Sequence, residues 1–84
     1  MWTVNVDKAV DKRLKKIPEP EKSRINQAIN DLEIKPEIMD IKPLVGRIGY
    51  CLKVVGWRLL MDMDYAEMVI YVYMLASRGD VYKK

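Results

Sequence analysis

Lys53 and Arg58 interrupt an otherwise apolar stretch, and Arg78 and Tyr82 follow near the end of the sequence. Guanidinium groups offer forked donors that match phosphate oxygens, an ammonium adds a point charge, and an aromatic ring offers a platform for a base. A lysine, two arginines and a tyrosine converging on one face would therefore suit a phosphodiester of single-stranded RNA. Lysines and arginines on an exposed sheet face are also ordinary solvated residues, and Tyr82 would equally pack a loose terminus. The spacing alone leaves both readings open. Histidine is absent, which removes Ser-His-Asp and Cys-His nucleophiles together with the commonest general base. A zinc site would have to combine the lone Cys51 with carboxylates, so neither a metal nor another cofactor is expected. Asp62 and Asp64 read as solvated acids beside a turn. Any catalysis would fall to Lys, Arg, Tyr and backbone.

The charge pattern agrees with a polyanionic partner. Net charge is +3, the sequence pI is about 9.0, and positions 41–61 carry Lys42, Arg47, Lys53 and Arg58 but no acid. With 84 residues, half of them hydrophobic, the chain has material for one domain over 1–84 and one modest core. Its apolar runs are far short of a membrane span, no signal peptide is evident, and one cysteine fits a reducing compartment such as the cytoplasm.

The elements that must position these residues can be read from hydrophobic periodicity. Trp2, Val4 and Val6 alternate with Thr3 and Asn5, the period of a half-buried strand. Asp7 suits an N-cap, and Val10, Leu14 and Ile17 form one helical stripe that Pro18 closes. The other side of that helix carries Lys8, Lys12, Arg13, Lys15 and Lys16, which read first as a solvated face. Pro20 fits the first turn of a second helix, whose stripe of Ile25, Ala28, Ile29 and Leu32 ends before Pro36. The two helices should form a hairpin covering one sheet face through Leu52, Val54, Leu59 and Met61.

Alternation then runs over 48–55, with Gly56-Trp57 as a tight connection. A second strand places Trp57, Leu59, Met61 and Met63 on one face and Arg58, Leu60, Asp62 and Asp64 on the other. Tyr65-Ala66-Glu67 reads as a turn, and 68–75 as a central strand buried on both faces. The expected fold is α+β in the order β-α-α-β-β-β, a helix hairpin packed on one face of a mainly antiparallel four-stranded sheet.

Four segments carry a resemblance. Leu44-Val45-Gly46, Tyr50-Cys51-Leu52-Lys53-Val54, Gly56-Trp57-Arg58-Leu59-Leu60 and Ser77-Arg78-Gly79-Asp80-Val81-Tyr82 resemble, in order and spacing, signatures of the RelE/ParE toxin superfamily. The likeness extends over nearly the whole chain and is nearest to RelE-type, ribosome-dependent mRNA interferases. It implies the toxin of a type II toxin–antitoxin system, cytoplasmic, acting as a metal-independent endoribonuclease on mRNA at the ribosome. The implied reaction has the 2′-OH attack the adjacent phosphate, leaving a 2′,3′-cyclic phosphate and a 5′-OH. By positional match, Lys53 would be the base or a charge stabiliser and Arg58 the phosphate clamp. Arg78 would stabilise the developing charge, and Tyr82 would stack on a base or orient the nucleophile. Lys42, Arg47, Lys12, Lys15 and Lys16 would be the wider RNA contacts.

The resemblance also implies a RelB-like antitoxin that folds onto the toxin, and a complex that binds operator DNA through that antitoxin. A ParE-like inhibitor of gyrase is one alternative of the same fold, although such members generally lack the full basic and tyrosine set that Lys53, Arg58, Arg78 and Tyr82 supply. Cys51, Ser77 and Gly79 depart from residues common in the family, which keeps open a second alternative, an inactive binding module.

Overall fold

The structure is a computed structural model, and it describes residues 1–77. Its elements are β1 (Thr3–Val6), α1 (Lys8–Leu14), α2 (Glu21–Ile34), a 3-10 turn at Pro36–Ile38, β2 (Ile41–Pro43), β3 (Tyr50–Val54), β4 (Trp57–Asp64) and β5 (Val69–Ser77). The sheet has five strands rather than the four expected, in the order β1-β5-β4-β3-β2. The added strand, β2, is a three-residue edge ending in Pro43, a position where a missing N–H leaves no interior ladder broken. β1 pairs parallel with β5, and the other pairings are antiparallel.

Local chemistry accounts for the helix starts. The Asp7 carboxylate accepts from the Ala9 N–H at 2.9 Å and caps α1, as its position in the sequence implies. Pro20 stands at the N-cap of α2 with no side chain able to accept. Glu19 supplies the missing acceptor, taking bonds from the Ser23 N–H at 3.1 Å and the Ser23 hydroxyl at 2.5 Å. α1 ends at Leu14, earlier than its apolar stripe, and Ile17 completes the stripe from a turn.

Both helices lie on one sheet face. Val10, Leu14, Ile17, Ile25, Ala28 and Leu32 are buried with Leu52, Leu59, Met61, Ile70, Val72 and Leu75 in a single core cluster. Val54 and Ile29 pack against it partly buried, so the expected hairpin and its partner face both stand. β5 is central, but only its helix-facing side is buried through most of its length. Tyr71 and Met74 are 38% and 44% exposed, because no layer covers that stretch of the opposite face. Ile48, expected in a strand, is exposed in the connection before β3. Among the described residues no helix is long and apolar enough to cross a membrane.

Candidate functional site

β3 and β4 form the hairpin on which the site is built. The connection is Val55-Gly56 rather than Gly56-Trp57, closed by the pair Val54 and Trp57. Both loop residues have positive φ, +46° and +112°, which matches the twist that a two-residue hairpin requires. Gly56 adopts this freely, whereas Val55 is β-branched and strained there. The tight turn sets the register, and the register pairs Lys53 directly with Arg58. Side chains so opposed have Cβ atoms about 5 Å apart.

The face is defined by the ladder. Arg58 lies opposite Ala76 on β5, Cys51 opposite Leu60 on β4, and Lys42 opposite Cys51 on β3. Residues two apart share a face, so Lys42, Cys51, Lys53 and Arg58 form one patch on the side away from the helices. Within it the burial is uneven. Lys53 and Lys42 are exposed, but Arg58 is only 8% exposed, and Leu60 and Ala76 only 1% each. A guanidinium held there sits in a lower dielectric, which strengthens its pull on any phosphate that comes within reach. Lys42 also lies 3.8 Å from Asp40, an exposed pair of little energetic weight.

Farther along the same face the character reverses. Asp62 pairs with Tyr71, and Tyr71 with Asn5. The Tyr71 hydroxyl donates to the Asp7 carboxylate. That bond, with the Ala9 N–H and Lys8, holds the Asp7 carboxyl below its ordinary range. It also raises the Tyr71 phenol above its ordinary value, with desolvation and the charges of Asp7 and Asp62 acting in the same direction. The face away from the helices thus has a basic end at Lys42, Lys53 and the buried Arg58 and an acidic, aromatic end at Asp7, Asp62 and Tyr71. A polyanion would be held at the first and repelled from the second.

Four other expected contacts stand elsewhere. Lys12, Lys15 and Lys16 are exposed, but α1 packs on the opposite face of the sheet, so they lie outside the Lys53 patch. Arg47 is exposed in the connection between β2 and β3. Arg78 and Tyr82 fall outside the described residues. Among those described, no group of three or more His, Cys, Asp or Glu gathers where it could hold a metal.

Arg13, grouped by periodicity with the solvated face of α1, has a different position. Its Nη1 donates to the Leu75 carbonyl at 3.1 Å, and its guanidinium lies 5.2 Å from the centre of the Trp57 ring. The Trp57 indole N–H donates in turn to Glu21 at 3.1 Å. These contacts tie both helices to the ends of β4 and β5, next to Arg58 and Ala76. Its position one residue before the buried Leu14 was the sequence signal, since a long side chain there can reach around to the sheet.

An α+β sheet with a helix hairpin on one face and a basic patch on the other defines the architecture. No family model matches the chain, and no curated protein sequence matches it. Solved structures do. The chain is similar to RelE in the archaeal RelE–RelB complex from Pyrococcus horikoshii, at 25% identity and a TM-score of 0.78, over 93% of this chain and 96% of that one. It is also similar to a chain of a toxin–antitoxin complex from Mycobacterium tuberculosis, at 20% identity and a TM-score of 0.76, over 92% and 98%. The isolated RelE toxin of E. coli matches at 19% identity and a TM-score of 0.72, over 92% and 84%. The chain has a RelE-like fold.

Proposed function

We propose that this protein is the toxin of a type II toxin–antitoxin pair and an endoribonuclease that cleaves mRNA on the ribosome without a metal. The observation that carries the reading is the direct pairing of Lys53 with the buried Arg58, on the one sheet face that the helices leave open. A 2′-OH attack on the adjacent phosphate needs a base, cations for the charge that develops on the phosphorane, and help for the leaving oxygen. Lys53, on the exposed side of the pair, would act as base or charge stabiliser, and Arg58 as phosphate clamp. Arg78 would add charge stabilisation, its electrostatic role fitting a group that stays protonated. Tyr82 would stack on a base or orient the nucleophile.

Lys42 lies on the same face and would extend the track for the RNA backbone, and Arg47 would add a contact from the connection between β2 and β3. Lys12, Lys15 and Lys16 would contribute salt-dependent ribosome association from the helix layer. The RelE–RelB complexes among the structural neighbours support a RelB-like antitoxin as partner, one that would carry any operator DNA binding. The setting would be the cytoplasm.

The departures at Cys51, Ser77 and Gly79 favour one competing reading, an inactive binding module. Primer extension on cellular messages after induction, with gyrase activity assayed in parallel, separates the possibilities. Discrete message ends within coding regions are expected. Gyrase arrest with intact messages would support a ParE-like inhibitor, and neither effect would support the inactive module.

A further inference from the structure

The helix-bearing face carries a second feature, at the end remote from Arg13. Trp2, Tyr50, Tyr65, Met39, Met63 and Glu37 are among the residues that line a cavity of about 170 Å³. The Trp2 and Tyr65 rings meet edge to face at 5.3 Å and 87°, and those of Tyr50 and Tyr65 at 6.4 Å and 69°. The Trp2 indole N–H donates to the Glu37 carboxylate at 3.4 Å, a bond between two lining residues. Among the described residues Glu37 has no cationic partner, and no lysine or arginine lines the cavity.

We propose that this cavity binds one arginine side chain of a partner polypeptide. The inference does not depend on the reading of the opposite sheet face. Aromatic faces attract a cation through their quadrupoles, and a carboxylate beside them adds a point charge and an acceptor. An apolar occupant would desolvate the Glu37 carboxylate and bring no countercharge, which is unfavourable. A phosphate-bearing ligand would be repelled by Glu37. The volume is below the roughly 300–1,000 Å³ of sites for drug-sized molecules, so one long side chain is the fitting size. Arginine is favoured over lysine because its planar, weakly hydrated guanidinium stacks on rings and meets a carboxylate with two donors. Ile38 and Met1 stand 78% and 87% exposed next to the lining residues Glu37 and Trp2 in the chain. Exposed apolar residues that adjoin the lining in the chain suit the flanking residues of a peptide rather than a free small cation.

The test uses the full-length, ¹⁵N-labelled protein and its two indole N–H resonances. Trp2 reports on the cavity, and Trp57, bonded to Glu21, serves as internal control. The probes are an acetylated leucine–arginine–leucine amide and the same peptide with neutral citrulline in place of arginine. Titration with the arginine peptide should shift the Trp2 resonance to saturation and leave Trp57 in place. The citrulline peptide should bind about tenfold more weakly, and Glu37→Gln should weaken the arginine peptide by about 3–10-fold. Equal binding of the two peptides would make the cavity an apolar slot and overturn the proposal. So would an unaffected Glu37→Gln variant, or no Trp2 shift at peptide concentrations up to about 10 mM.

Discussion

Replacing Arg13 by methionine should destabilise the protein although the residue lies on an exposed helix face. Methionine retains much of the aliphatic stem and removes the guanidinium. With it go the charged hydrogen bond to the Leu75 carbonyl at 3.1 Å and the stacking 5.2 Å from the Trp57 ring centre. A hydrogen bond to a charged group contributes about 1.5–3 kcal/mol, and solvent access at Arg13 places it at the lower end. The cation–π contact adds about 0.5–1 kcal/mol at an exposed site. The sum is about 2 kcal/mol, large for a surface position, where most substitutions stay within about 0.5 kcal/mol. Urea denaturation of wild type, Arg13→Met, Trp57→Phe and the double variant measures it. A coupling of at least about 0.5 kcal/mol between Arg13 and Trp57 is expected. A loss under about 0.5 kcal/mol for Arg13→Met, with unchanged m-value, would refute a stabilising role for the Arg13 contacts.

Val55→Asn should stabilise the protein by about 1 kcal/mol in the same assay, because asparagine tolerates the left-handed conformation that strains valine, and Val55 is 42% exposed. Gly49→Ala should destabilise by about 1–3 kcal/mol: its φ is +124°, and a Cβ there would sit 3.1 Å from Leu44 Cδ1 and 3.2 Å from the Tyr73 hydroxyl. In pH titrations of stability, the lowered Asp7 contributes fully above the ordinary carboxylate value of about 4, and that contribution is lost as pH falls through its folded value. The raised Tyr71 contributes fully below about 10 and loses its contribution as pH rises through its folded value. Tyr71→Phe should therefore flatten both limbs, while the acid slope from Glu19, lowered by its bonds from the Ser23 hydroxyl and N–H, persists and is reduced by Ser23→Ala, which keeps the N–H bond.

Period-two and helical patterns were enough to place Lys53 and Arg58 on one face and the helix hairpin on the other, because burial on one side enforces alternation. Three residues with a lysine and a proline carry no such pattern, so β2 exists only through its pairing with β3. The parallel pairing of β1 with β5 joins the two ends of the described chain, a non-local choice that no local propensity records. Val55 reads as a strand residue by composition, and the register of the hairpin overrides that preference. The burial of Arg58 and the aromatic cavity around Trp2 depend on neighbours brought together only by folding. Arg78 and Tyr82 were proposed on sequence likeness and lie beyond the described residues.

The central claim is that Lys53, Arg58 and Arg78 stabilise a metal-free cleavage step, and single-turnover cleavage on programmed ribosomes tests it most directly. Wild type, Arg58→Ala and Arg78→Ala are compared at saturating protein, in EDTA at a concentration that leaves the ribosomes intact, with ribosome binding measured separately and folding checked by denaturation. Removing one preorganised donor typically lowers the rate on the order of 100-fold or more, so each variant should cleave that much more slowly with ribosome binding little changed. Wild-type rates for both variants, or a wild-type cleavage that EDTA abolishes, would contradict the account.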